Sequence, residues 1–193
     1  MIDKSKICMV DIETLDITPT AVILSIGACD LNGDEKFYII PAHNQPGRTC
    51  SPETVDWWMT QPAGVYPRES NIVTPKSLLG ALITFDGWYT SQGFTEIWCK
   101  GTDFDIAILT QAYKFFGTGT PWKYNEVRDM RTVLKLYESM TGVKVKDHVG
   151  PNGQAHNALG DALYQAAQLR VVFENTHFFA PPTSGVISNG QPE

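Results

Sequence analysis

Ile7-Cys8-Met9-Val10-Asp11-Ile12-Glu13-Thr14 is an apolar run that closes on two carboxylates. Four consecutive apolar residues read as a buried strand. Strand side chains alternate between faces, so Asp11 and Glu13 point the same way. Two like charges on one face at the end of a buried strand are costly unless a cation lies between them. Hard divalent cations such as magnesium take carboxylate oxygens. The alternative is a strand that ends in solvent with both acids hydrated. The D-x-E spacing alone does not decide between the two.

Outward from this strand, Asp16-Ile17-Thr18-Pro19-Thr20 reads as a turn. Ala21 to Leu31 is a second, largely apolar strand, and Asn32-Gly33-Asp34 is a hairpin signal. Glu35 to Ile40 is then a third strand, antiparallel to the second, so that a β-meander opens the fold. Residues 41–74 are rich in Pro, Gly and polar residues and form an insertion with one short helix, capped by Ser51 with Pro52 at its first position. Two adjacent tryptophans on that helix, Trp57 and Trp58, cannot both face one core. Packing is the ordinary role of a tryptophan, and Trp58 is the candidate base-stacking surface.

Thr74-Pro75 is expected to open a second helix, with Leu78, Leu82, Phe85 and Tyr89 on its apolar face. Glu96 to Lys100 is a short strand. It turns through Gly101-Thr102-Asp103 into a helix carrying Ile106, Leu109, Tyr113 and Phe116. Asn125 to Asp129 is another short strand, and Arg131 to Thr141 a helix stopped by Gly142. The last helix spans Ala158 to Asn175, with Leu159, Leu163, Ala166, Leu169 and Phe173 facing inward. The order describes an α/β fold, a mixed sheet of about five strands flanked by helices. Residues 1–179 form one domain and residues 180–193 a flexible tail, open to ordering by a partner chain, a homodimer included.

The bulk properties narrow the function. No apolar run is long enough to span a bilayer and the N-terminus lacks a signal pattern, so a soluble, cytoplasmic protein without a membrane partner is expected. The four cysteines form no CxxC pair, which argues against structural zinc and for a reducing compartment. A net charge of −6 excludes a long basic groove for duplex nucleic acid. It leaves room for weak, end-directed binding if acids hold metal ions.

Two further acidic sites fit that condition. Asp105 lies just past a strand end, where α/β folds build their sites, and needs a cationic partner or a metal. Asp103 has a structural role open to it as N-cap of the same helix. In His156-Asn157-Ala158-Leu159-Gly160-Asp161, Asn157 is the N-cap and Asp161 lies one turn into the helix, where the helix dipole favours an anion. Gly160 implies a close approach there by the sheet or a ligand. His156, in a Gly-rich loop beside these acids, has the makings of a water-activating base or is a surface loop histidine. His43, His148 and His177 lack such neighbours.

Asp11-x-Glu13, Phe104-Asp105 and His156-x4-Asp161 resemble, in order, the three motifs of the DEDDh 3′–5′ exonucleases, a family with a ribonuclease H-like fold. The resemblance runs from about Ile7 to Phe173. Thr54 to Trp58, Cys99 to Asp105 and Arg128 to Thr132 look like the branch containing the T-even phage exonuclease A, with mycobacterial-type exoribonucleases as a second relative. A phage or prophage source, and so a host cytoplasm, follows from that likeness. The resemblance implies a metal-dependent 3′–5′ exonuclease acting on the 3′ end of single-stranded DNA or RNA. Two divalent cations, Mg2+ or Mn2+, are implied. Asp11 would bridge them, Glu13 and Asp161 would complete one shell, Asp105 would hold the other ion, and His156 would be the general base. Thr14, Leu15, Trp58 and Phe104 would touch substrate. Arg128 and Arg131 fit phosphate contacts or a solvated face equally, and Asp129 fits an N-cap better than a fifth ligand. The competing readings are a catalytically inactive, exonuclease-like binding or scaffold module and a ribonuclease H-like endonuclease.

Overall fold

The computed structural model describes residues 3–68, 76–150 and 155–175. Among them, five strands form one sheet: β1 (Ile7–Thr14), β2 (Ile23–Asp30), β3 (Lys36–Ile39), β4 (Glu96–Cys99) and β5 (Val127–Asp129). Their order is β3-β2-β1-β4-β5, with β1, β2 and β3 antiparallel and β4 and β5 added parallel to β1. The expected mixed sheet and opening meander are therefore present. The helices are α1 (Pro52–Met59), α2 (Leu78–Gln92), α3 (Asp105–Phe115), α4 (Met130–Thr141) and α5 (Ala158–Glu174).

Strand alternation divides the core in two. Cys8, Val10 and Ile12 of β1 pack with Ile97 and Cys99 of β4 against α2 and α3. Ile7 and Met9 pack with Cys29 and Trp98 against α4 and α5. Asp11 and Glu13 continue the second set, so their carboxylates lie on the α5 side. One glycine makes that side close-packed. Gly27, paired with Asp11 across the β1–β2 ladder, would drive a Cβ into the backbone of Ala158 and Leu159. Only a bare backbone lets the first turn of α5 lie this near the sheet.

Four expectations are corrected. Helix α2 begins at Leu78 with Ser77 as its N-cap, its hydroxyl accepting the Gly80 amide; Thr74 and Pro75 lie outside the described residues, as do 151–154, His177 and the tail 180–193. Asp103 does not cap α3. The cap position is Phe104, and the chain tightens instead through the Phe104 and Asp105 amides donating to the Gly101 carbonyl. The stretch from Asn125 opens as a tight turn over Tyr124–Glu126, so β5 starts only at Val127. On α5 the buried stripe is Ala158, Ala162, Gln165, Ala166, Gln168, Leu169, Val172 and Phe173, with the half-buried Leu163 packed against the same core as expected, whereas Leu159 is half-buried and its place at the start of the stripe is taken by Ala158 and Ala162. Contact with the sheet at Gly27 fixes the helix phase and selects small residues for the inner line.

Candidate active site

The site lies where β1 outruns its parallel neighbour. The β1–β4 ladder ends at Met9 with Trp98, so the Ile12 amide has no strand to bond. Asp105, at the first position of α3, fills the gap: its Oδ1 accepts the Ile12 N–H at 3.1 Å. A buried amide must be satisfied, and here a carboxylate does it. Asp105 is only 4% exposed as a result.

Helix α5 brings the third carboxylate. Asn157 caps it by accepting the Gly160 amide at 2.9 Å, which sets the register that points Asp161 back at β1. Asp11, Glu13 and Asp161 each place a carboxylate oxygen within 4.8 Å of the other two. Asp105 stands outside that trio but lines the same cavity. Gln165, one turn beyond Asp161, donates from Nε2 to Asp11 Oδ1 at 2.7 Å.

His156 precedes α5 with φ at 62°, in the left-handed region that a non-glycine residue seldom takes. Its ring meets Trp57 edge-on, with centroids 4.8 Å apart and planes at 88°. Trp57 is held there by α1, which is tied to the end of β1. The Trp58 indole N–H donates to the Thr14 carbonyl at 2.8 Å, and the Ser51 amide to the Leu15 carbonyl at 2.8 Å.

Asp11, Glu13, Asp105, His156 and Asp161 together line one open cavity of about 270 Å³, with Lys100, Phe104 and Gln165 on its walls. Burial, then the neighbouring carboxylates of Asp105, Glu13 and Asp161, push the Asp11 carboxyl well above the usual range. Burial, then Asp161 and Asp105, raise Glu13 to about 8. Burial raises Asp105 to about 7 against the opposing pull of the Ile12 amide and the Arg131 charge. Neither Asp11, Glu13 nor Asp105 pairs with a lysine or arginine among the described residues. Asp11 and Glu13 are half-buried, crowded by like charge and without a cationic side chain paired to them among the described residues.

A second cavity, about 560 Å³, adjoins the first through Glu13 and Phe104 and is also lined by Thr14, Ile17, Thr54, Trp57 and Trp58. The expected substrate contacts divide around it. Thr14 and Phe104 lie on its wall. Leu15 does not; it opens onto a separate cavity behind Trp58, with Val55, Met59 and Tyr66. Trp58 is 4% exposed and packs, whereas Trp57 is 41% exposed, so the available ring of the pair is Trp57 rather than Trp58. Arg131 lies over Gly101, 3.8 Å from Asp103, and is not among the cavity residues. Arg128 turns away to Glu96 at 3.2 Å. Asp129 accepts the Arg131 amide at 2.7 Å, as an N-cap does, and is not among the cavity residues.

Sequence reasoning passed over Gln165, Lys100 and Trp57. Gln165 carried a signal: it lies four residues after Asp161 and so on the same helix face. Lys100 and Trp57 carried none beyond adjacency to residues already singled out.

A family model described as the 3′-5′ exoribonuclease Rv2179c-like domain matches residues 6–173. No curated protein matches the chain. Among solved structures, the chain is similar to the nuclease domain of 3′hExo, a DEDDh family member bound to rAMP. The TM-score is 0.56 at 13% identity, over 88% of this chain and 92% of that one. The fold is thus the ribonuclease H-like exonuclease fold. Among the described residues, no helix is long and apolar enough to cross a membrane.

Proposed function

The chain belongs to the Rv2179c-like 3′–5′ exoribonuclease domain family and is a 3′–5′ exonuclease, and on that premise we propose that it removes nucleotides from the 3′ end of single-stranded RNA or DNA by metal-dependent hydrolysis with His156 as general base. The family description favours RNA, and the motifs within it favour the branch that includes the phage exonuclease A. The observation that carries the reading is the convergence of Asp11, Glu13, Asp105 and Asp161 on one cavity beside an imidazole.

The donor set fits divalent cations. It is all oxygen, three of its atoms are mutually within 4.8 Å, and its burial and crowding disfavour the ionised form unless positive charge is supplied. Asp11, Glu13 and Asp161 would hold one Mg2+ or Mn2+ and Asp105, with Asp11, a second. Bound there, the ions would polarise the phosphodiester and stabilise the charge that develops on its oxygens. The remaining steps belong to this chain. His156 takes the proton of the attacking water. Trp57, against its edge, limits the imidazole's rotation. The adjoining cavity under Trp57, Thr14 and Phe104 receives the terminal nucleoside, where an aromatic face stacks on any base. Lys100, on the wall of the first cavity, offers its ammonium to a phosphate oxygen.

The test uses 5′-labelled single-stranded RNA and DNA, each with a free or a blocked 3′ end, in Mg2+, Mn2+ or excess chelator. A metal-dependent ladder that stops when the 3′ end is blocked is expected. Cutting despite the block would instead identify a ribonuclease H-like endonuclease, and no metal-dependent cutting of either polymer would favour the inactive module.

A further inference from the structure

Gln165 is the least expected wall of the cavity. It sits on the buried line of α5 among Ala162, Ala166 and Leu169 and is 5% exposed. Its Nε2 donates to Asp11 Oδ1 at 2.7 Å, while its Oε1 is buried and has no donor among the described residues. A glutamine is a poor choice for packing alone. A buried amide oxygen without a partner is costly, and a methionine would fill the same volume without that cost. What an aliphatic residue cannot do is hold Asp11.

Asp11 needs holding. Its carboxylate lies within 4.8 Å of those of Glu13 and Asp161 and shares the cavity with Asp105, and a carboxylate repelled by such neighbours and free to rotate has no reason to stay aimed at the middle of the group. A cationic anchor would fix it but would also supply the charge that a metal ion is meant to bring. A neutral amide donor fixes one oxygen and leaves the site's charge unchanged. The spacing suits it: four residues after Asp161 on the same helix face, the amide reaches Asp11 from the frame that carries another of the carboxylates.

The geometry points to Gln165 as a positioning residue for the metal centre, acting through Asp11. This rests on the functional reading above. Groups that orient a metal ligand in this way typically change affinity or activity by about ten- to a hundredfold when removed.

The test is Gln165→Met in the full chain, which keeps length and volume and removes the donor. Mn2+ binding is measured by titration calorimetry, the melting temperature in chelator, and kcat and KM on a single-stranded oligonucleotide. Mn2+ affinity about tenfold weaker or more, a lower kcat, an unchanged KM and a melting temperature in chelator at or above the parent's are expected. Mn2+ affinity and kcat equal to the parent's would overturn the role, whatever happens to the melting temperature. If the parent itself binds no Mn2+, the functional reading falls and this inference with it, so the two failures are distinguishable. Should Gln165→Met not fold, Gln165→Leu removes the same donor, and the same changes in Mn2+ affinity and kcat support or overturn the role.

Discussion

Four carboxyl groups in one cavity make the metal-free protein dependent on pH in an unusual direction. A carboxylate paired with a cation is stabilised as pH rises. Here burial and like charge raise Glu13 to about 8 and Asp105 to about 7, with Asp11 raised as well. The folded chain therefore binds more protons than the unfolded chain between the ordinary carboxylate range, about pH 4, and the raised values. Their contribution is intact below about pH 4 and is lost as pH rises through the folded values. In chelator, the melting temperature is expected to be higher near pH 5.5 than near pH 8.5, and saturating Mn2+ should shrink the difference by favouring the ionised forms. A melting temperature in chelator that rises with pH across this window would contradict the crowding. At the same scale, His156→Ala should lower kcat by about 10²–10⁴-fold, the usual worth of a positioned base, with Mn2+ affinity unchanged by calorimetry; a wild-type rate would remove His156 from the base role. Individual residues were the most legible level of this chain. Asp11, Glu13, Asp105, His156 and Asp161 all stand out by spacing and motif order, and the fold gathers them in one cavity. Trp57 and Trp58 were not separable, because a helix of eight residues presents adjacent positions to different sides and nothing local says which side meets the sheet.

Among the elements, α5 and β2 carry the site as much as the acids do. The first turn of α5 rests on the bare backbone of Gly27, and this contact decides where Asp161 and Gln165 point. Gly27→Ala is expected to push the helix off the sheet. Overpacking of this kind costs about 1–3 kcal/mol, and weaker Mn2+ binding should accompany the lower melting temperature. Unchanged stability and metal affinity in that variant would show that the contact does not set the site. The opening meander and its hairpin were legible because alternation and the Asn32-Gly33 turn act locally. The first turn of α5 was less so. Ala166, Leu169 and Phe173 read as inward and are buried, but the close approach of the first turn is set by Gly27, far away in sequence, and small residues such as Ala158 and Ala162 give no hydrophobic signal. The start of α3 was hidden for a similar reason. Asp105 is drawn to the Ile12 amide, which needs an acceptor, a demand created only when β4 stops short of the end of β1.

For the molecule as a whole, a net charge of −6 and a cavity walled by acids fit the proposed reading, in which the positive charge would be recruited at the site itself. The family match over residues 6–173 and the ribonuclease H-like fold agree with acids gathered at the end of the central strand. In the proposed function, Asp11, Glu13, Asp105 and Asp161 would form a two-ion centre. The most direct measurement is anomalous diffraction from a crystal grown with Mn2+ and a nucleoside monophosphate. Two peaks about 3.5–4 Å apart, with Asp11 between them, are expected. No peak among these four carboxylates, with Mn2+ bound elsewhere or not at all, would contradict it.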